Sequence, residues 1–156
     1  MDLILAFEAI ILHADGRLPE LVSLKTSPLA AFPVSVPEVL YRCGRVPHPE
    51  LYMDCIAEGL GPRSWRIQAI EQLECMTAKF IAPYIAFYPI VSRDGSPFPV
   101  NTFIRAIKGK RFLDARAWRG DIVIAKFSDQ EYTRIIDASM ADFPIVKNWL
   151  GTQHAP

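Results

Sequence analysis

The densest run of residues able to do chemistry is a cationic cluster between positions 105 and 119. Six basic side chains lie within these fifteen positions, and Asp114 is the single acid among them. The basic members are Arg105, Lys108, Lys110, Arg111, Arg116 and Arg119, with Phe112 and Trp118 interleaved. Cations neutralise phosphates and carboxylates, and aromatic rings stack on bases. The pattern therefore predicts an anion-binding surface if the side chains share a face.

Two interpretations of this cluster stay open. A solvated face is the simpler one, since Lys and Arg are mostly exposed in folded proteins. If the cluster binds, we expect a protein or a small anionic ligand, while nucleic acid is disfavoured. Trp118 lies in a turn, where it would either plug the sheet edge or stack on a ligand. The candidate binding residues are Lys108, Lys110, Arg111, Arg116, Trp118 and Arg119.

A hydrolytic alternative comes from residues 120–125, Gly-Asp-Ile-Val-Ile-Ala. This segment resembles the Gly-Asp-Ile-Val-Val segment of the signal peptidase and LexA-like serine/lysine peptidases. The resemblance implies a nucleophilic serine upstream, and Ser96 lies 24 residues before Gly120. Pro97 replaces the family's methionine, and Thr133 occupies the position of its basic lysine. A serine without a neighbouring base is not activated, and Lys126 lies on the wrong strand to replace it.

Other reactive side chains are scattered along the chain. Two carboxylates could do acid–base work only if the fold brought them together in a pocket, and Asp121 and Asp142 have simpler roles at element ends. The three histidines suggest no Ser/His/Asp constellation by spacing. Cys43, His48 and Cys55 lack the short paired spacing of zinc sites, and no phosphate-binding or dinucleotide motif occurs. We predict no metal and no cofactor.

Composition places the chain among globular proteins. It has 156 residues, of which 51% are hydrophobic and 22% charged, and its formal net charge is zero. Residues 1–78 carry 6 Lys/Arg against 10 Asp/Glu, and residues 79–156 carry 11 against 7. The first half is thus acidic and the second basic. This asymmetry would orient a partner or attract the two halves to each other, and a homodimer is one assembly that it permits.

The apolar N-terminus does not have the pattern of a targeting segment. Residues 2–12 begin with Asp2 and are interrupted by Glu8, whereas a secretory signal needs a basic start. The run is also shorter than the roughly twenty residues that cross a bilayer. We interpret it as a short buried helix capped by Asp2. Three cysteines without a disulfide pattern favour a reduced compartment, so a cytoplasmic or nuclear location without membrane attachment is expected.

Proline and glycine divide the first half into short elements. Pro37 to Cys43 and Pro49 to Glu58 are predicted as helices ended by Gly44 and Gly59. A longer helix is predicted from Ser64 to about Phe80, because apolar residues recur at helical spacing and Pro83 prevents continuation. Residues 1–83 are therefore expected to be mainly helical.

The second half has the periodicity of strands. Tyr84–Tyr88 is aromatic and β-branched. Three strands at about 111–117, 121–127 and 132–137 are joined at hairpin length, so they should pair antiparallel around the most apolar one. Asn101 would cap a short helix ended by Gly109, and Asp142 would cap a final helix. The predicted fold is a single α+β domain in which this meander, with one or more further strands, packs against helices.

The stretch from Trp118 to Leu150 resembles a fungal protein family of unknown function. It includes Trp-Arg-Gly-Asp at 118–121, Ala-Ser-Met-Ala-Asp-Phe-Pro at 138–144 and Asn-Trp-Leu at 148–150. No activity follows from this resemblance. We interpret the protein as a non-enzymatic interaction module that binds a protein or an anionic partner, with the serine/lysine hydrolase as the alternative.

Overall fold

One antiparallel sheet organises the fold. The computed structural model describes residues 4–29, 36–55 and 61–156. The order across the sheet is β3-β2-β1-β6-β5-β4, and β7 also pairs with β6. The strands are β1 (Leu5–Leu12), β2 (Glu20–Pro28), β3 (Arg45–Pro47), β4 (Trp65–Ile70), β5 (Tyr84–Pro89), β6 (Ile122–Phe127) and β7 (Ile135–Ile136).

Three short α-helices accompany the sheet in the described ranges. They are α1 (Val39–Cys43), α2 (Thr102–Lys108) and α3 (Phe143–Thr152). Single 3-10 turns occupy Pro49–Tyr52, Gly61–Arg63, Gly109–Arg111, Asp114–Arg116 and Met140–Asp142. The α+β class with an antiparallel sheet is confirmed, but the sheet is larger than the predicted three-stranded meander. None of the helices in the described part of the chain has the length and apolarity needed to cross a bilayer.

Strand β6 lies in the middle of the sheet, as its apolar sequence predicted. Ile122 and Ile124 pack on one face, while Val123, Ala125 and Phe127 pack on the other. Both faces are covered: α2 and α3 contribute Ile104, Val146, Trp149 and Leu150 to the first of these cores. The second core includes Leu40 of α1, Met53 and Trp65. A strand buried on both faces needs apolar residues at every position.

The predicted N-terminal helix is wrong. Residues 5–12 form β1, which pairs with β2 from Leu5 opposite Thr26 to Ile11 opposite Glu20. It also pairs with β6, where Ile10 lies opposite Ile124. Ala9 and Ile11 face one core, while Ile10 and Leu12 face the other. The apolar run, interrupted only by Glu8, therefore forms a strand in the middle of a sheet.

The predicted helix from Ser64 to Phe80 is also wrong. Trp65–Ile70 is strand β4, which pairs with β5 over its whole length. The Trp65 and Phe87 rings meet edge to face, with centroids 5.1 Å apart. The prediction that residues 1–83 are mainly helical fails for the same reason, because four of the seven strands lie there. Cross-strand packing here overrides the helical spacing of the apolar residues.

Two strands of the predicted meander are absent or shortened. Residues 111–117 form parts of two 3-10 turns instead of a strand, and the third strand contains only Ile135–Ile136. The neighbours of β6 are β1 and β5, in addition to β7. Strand β5 and the hairpin between β6 and β7 are as predicted.

The short helices are predicted better than the long one. Helix α1 ends at Gly44, which adopts the left-handed conformation at φ 67°. Helix α2 begins after Asn101 and ends at Gly109. The segment predicted as a helix from Pro49 to Glu58 forms a 3-10 turn at Pro49–Tyr52, and residues 56–58 lie outside the described residues.

Asp142 occupies the N-cap position of α3, as predicted, but its side chain makes no capping hydrogen bond to the helix and instead joins β6 to α3. Its carboxylate accepts from Lys126 Nζ at 2.9 Å, Tyr84 Oη at 2.6 Å and the Ser139 N–H at 2.8 Å. Burial alone would raise the pKa of Asp142, but these hydrogen bonds and the Lys126 charge lower it below its usual value. The ionised carboxylate therefore stabilises the fold.

We expect Asp142→Asn to lower the free energy of unfolding by about 1.5–3 kcal/mol at pH 7, the usual contribution of hydrogen bonds to a charged group. A lowered folded-state pKa gives stability that is present above the unfolded value of about 3.9 and lost as pH falls through the folded value. The difference in the free energy of unfolding between wild type and Asp142→Asn should therefore become smaller below about pH 4. Urea unfolding at pH 7 and pH 3 measures it, with the exposed Asp114→Asn as the control.

Candidate functional site

Asn101 fixes the position of helix α2 on the sheet. Its side-chain oxygen accepts from the Ile104 N–H at 3.0 Å and caps the helix. Its amide nitrogen donates to the Leu12 and Gly120 carbonyls at 3.0 and 2.9 Å. One buried side chain thus connects α2 to β1 and to the turn before β6. The predicted cationic residues that follow α2 are consequently held on a rigid support.

Helices α2 and α3 pack against each other and enclose a groove. Gly151 lies close to Ile107, since a Cβ at that glycine would be 3.6 Å from Ile107 Cγ2. The Phe103 and Phe143 rings also meet, with centroids 5.8 Å apart. The groove has a volume of about 430 Å3. It is lined by Ile107, Lys108, Arg111, Pro144, Lys147, Asn148, Gly151 and Thr152. We call it the α2–α3 groove.

The α2–α3 groove is cationic. Lys108, Arg111 and Lys147 line it, and none of its lining residues is acidic. None of these three side chains forms an ion pair within the described part of the chain. Asn148 and Thr152 add neutral polar groups. The lining thus combines the exposed charges of Arg111 and Lys147 with hydrogen-bonding side chains, and the Lys108 ammonium lies buried beneath it.

Lys108 is the unusual member of this lining. Only 5% of its surface is exposed, and its Nζ has no hydrogen-bond partner among the described residues. Burial lowers the pKa of Lys108, and the positive charges of Arg111 and Arg116 lower it further. A buried ammonium without a partner is costly for the folded state. A bound anion would therefore stabilise the Lys108 ammonium.

The chain after α3 returns to the same region. The Ala155 N–H donates to the Arg116 carbonyl at 3.1 Å. Next to it, His154 Nδ1 is buried without a described hydrogen-bond partner. Burial lowers the pKa of His154, as do the charges of Lys108 and Arg116. Neutral His154 is therefore favoured near pH 7, and an anion nearby would favour its protonation.

Trp118 is buried in the core and is not exposed to solvent. Only 2% of its surface is exposed. Its ring lies 5.6 Å from the Tyr88 centroid and 6.1 Å from the Trp149 centroid. This burial favours the interpretation that Trp118 plugs the core, and it leaves no face of the ring for a nucleobase. The indole Nε1 has no described hydrogen-bond acceptor.

The remaining predicted binding residues do not share one surface. Arg116 is exposed, but its charge acts on both Lys108 and His154. Arg119 is exposed and donates to the Phe98 carbonyl at 3.2 Å, away from the groove lining. Lys110 is exposed and does not line the groove. The structure thus brings Lys108, Arg111 and Arg116 together and leaves Lys110 and Arg119 outside.

The serine/lysine arrangement is not assembled in the described residues. The Ser96 hydroxyl binds the Asp94 carboxylate in an exposed loop. Lys126 Nζ forms an ion pair with the Asp142 carboxylate at 2.9 Å, so it is not available to Ser96 as a base. No group of three His, Cys, Asp or Glu side chains with metal-binding geometry occurs in residues 4–29, 36–55 and 61–156.

Sequence reasoning missed two parts of the groove. Lys147 is 36 residues from Arg111 and belongs to a different helix. The spacing of the histidines indicated no role for His154, whereas the hydrogen bond from Ala155 to the Arg116 carbonyl holds it near Arg116. The only sequence signal for these parts of the groove was Lys147, a basic residue on the predicted final helix. No family model, curated protein or solved structure matches this chain.

Proposed function

We propose that the α2–α3 groove of this protein is a non-enzymatic binding site that takes a small anionic ligand. The observation that carries the proposal is Lys108, whose buried ammonium has no partner in the described structure. A ligand oxygen would supply the missing hydrogen-bond acceptor and the missing negative charge. Arg111 and Lys147 would add charge-assisted hydrogen bonds, which are stronger than neutral ones.

The volume and lining of the groove limit the ligand. About 430 Å3 lies in the range of small-molecule sites, which is roughly 300–1,000 Å3. The three cations would neutralise a phosphate, a diphosphate or a small polycarboxylate. Ile107 and Pro144 offer apolar contact to the rest of such a molecule. Nucleic acid is not favoured, because Trp118 is buried and cannot stack on a base.

The three cysteines indicate the compartment in which the protein acts. Cys43 is half-buried, Cys55 is buried and Cys75 is exposed, and all three are free thiols. Free thiols are typical of a reduced compartment. We place the protein in the cytoplasm or nucleus, where phosphorylated and carboxylated small molecules are available to it.

Titration with inorganic pyrophosphate tests the proposal. We expect saturable binding by calorimetry, with an affinity that falls as NaCl rises from 50 to 200 mM, because salt screens charges. Lys147→Gln should weaken binding by about 1.5 kcal/mol or more, which is roughly tenfold. Lys110→Gln is the matched control, since this exposed lysine lies outside the groove, and it should change affinity little. Equal effects of the two variants, or no saturable binding by wild type, would contradict the proposal.

A further inference from the structure

A second group of reactive side chains lies at the far edge of the sheet, on β2 and just after β3. The Ser27 Oγ is 2.7 Å from His48 Nε2, and His48 Nδ1 is 3.1 Å from Glu50 Oε1. Strand pairing brings these residues together, since Ser27 lies opposite Val46 in the ladder and the His48 N–H donates to the Lys25 carbonyl at 2.8 Å. This order of serine, histidine and carboxylate is that of a nucleophile, its base and the group that orients the base.

Glu50 determines which nitrogen of His48 carries the proton. Only 5% of Glu50 is exposed, and Trp65 Nε1 donates to its other oxygen at 2.9 Å. An ionised carboxylate only accepts hydrogen bonds, so the His48 Nδ1–H must donate to it. His48 Nε2 is then an acceptor, and the Ser27 hydroxyl donates to it. The imidazole is consequently arranged to remove the Ser27 proton.

Solvent exposure increases from Glu50 through His48 to Ser27, and a nucleophilic serine must be accessible to its substrate. The carboxylate is buried, the His48 side chain is 16% exposed, and Ser27 is partly exposed.

We propose that Ser27, His48 and Glu50 form a second, hydrolytic site that transfers the acyl group of small esters to water. Ser27 Oγ bonds to the ester carbonyl carbon while its proton passes to His48 Nε2. The carbon–oxygen bond to the leaving alcohol then breaks, and His48 returns the proton to that alcohol. Water, deprotonated by His48, cleaves the acyl-serine and restores the Ser27 hydroxyl. Glu50 is a positioning residue that holds the imidazole. This site is independent of the α2–α3 groove.

Covalent labelling of the full chain tests the proposal. Wild type treated with a fluorophosphonate should gain one phosphonyl group by intact mass, and peptide mapping should place it on Ser27. Ser27→Ala should gain none, whereas Ser23→Ala, a change at an exposed serine on the same strand, should be labelled like wild type. An unlabelled wild type, or equal labelling of Ser27→Ala, would overturn the proposal.

The roles of the base and the positioning residue are separated by acylation kinetics with p-nitrophenyl acetate. We expect His48→Gln to slow release of p-nitrophenolate about 100-fold or more, since a general base contributes roughly 10²- to 10⁴-fold. Glu50→Gln should slow acylation and change its pH profile, while circular dichroism shows that the fold is retained. Rates in folded variants equal to that of wild type would show that the three residues form only a structural hydrogen-bond network.

Discussion

Replacing Lys108 by methionine is expected to stabilise the ligand-free protein and to abolish anion binding. Methionine keeps the length and apolar stem of the side chain but removes a buried ammonium without a described partner. An unsatisfied buried polar group costs about 1–3 kcal/mol, so the free energy of unfolding should rise by that amount. Affinity for pyrophosphate should fall by about 2–5 kcal/mol, the range for loss of one partner in a buried charge pair.

The pH dependence of this stabilisation follows from the lowered pKa of Lys108. Between that value and the unfolded value of about 10.4, the unfolded chain binds more protons than the folded one, so wild-type stability rises with pH. The stability of Lys108→Met relative to wild type, measured as the free energy of unfolding, should therefore decrease towards pH 10. Urea unfolding at pH 7 and pH 10 measures it. A variant less stable than wild type at pH 7, with affinity unchanged, would show that Lys108 packs as a structural residue.

Replacing Trp118 by alanine should have the largest effect on stability. Its ring fills the space between Tyr88 and Trp149 and is 2% exposed. Removal of a buried tryptophan usually costs about 3–5 kcal/mol. Trp118→Phe should cost less, because it keeps an aromatic ring and removes the indole N–H that has no described acceptor. Thermal and urea unfolding measure both variants.

Leu113→Ala is the control for this segment, because Leu113 is 52% exposed and lies in the same stretch of 3-10 turns. It should change stability by no more than about 0.5 kcal/mol, as surface substitutions usually do. A Trp118→Ala variant that keeps wild-type stability but loses affinity for anions would contradict the structural interpretation. It would show instead that the indole ring contacts the ligand.

Local signals were sufficient to predict several of the short elements. The apolar run at β6, the aromatic run at β5 and the Asn101 and Gly109 ends of α2 all appear where the sequence predicted them. They were predictable because each depends on residues within one element. The structure of the N-terminal segment was not predictable in this way, since a largely apolar segment fits both a buried helix and a strand buried on two faces. Only its pairing with β2 and β6 decides between them.

The candidate sites depend on long-range contacts, which limits what one sequence can predict. Basic residues near position 108 indicated an anion, but Lys108 is buried and lines its groove together with residues of α3, which is distant in sequence. The sequence left open whether Trp118 plugs the sheet edge or stacks on a ligand, and its place in a core built from distant elements decides for the first. Ser27 and His48 are 21 residues apart and meet only because β2 pairs with β3.

The ammonium of Lys108 is the most direct probe of anion binding in the α2–α3 groove. Lysine side chains labelled with 13C and 15N can be followed one by one by NMR while inorganic pyrophosphate is added at constant ionic strength. We predict a saturable change at Lys108 with a smaller one at Lys147, both with the same midpoint, and no change at exposed Lys110. Uniform, non-saturating changes at all lysines, or an unmoved Lys108, would contradict the proposed site.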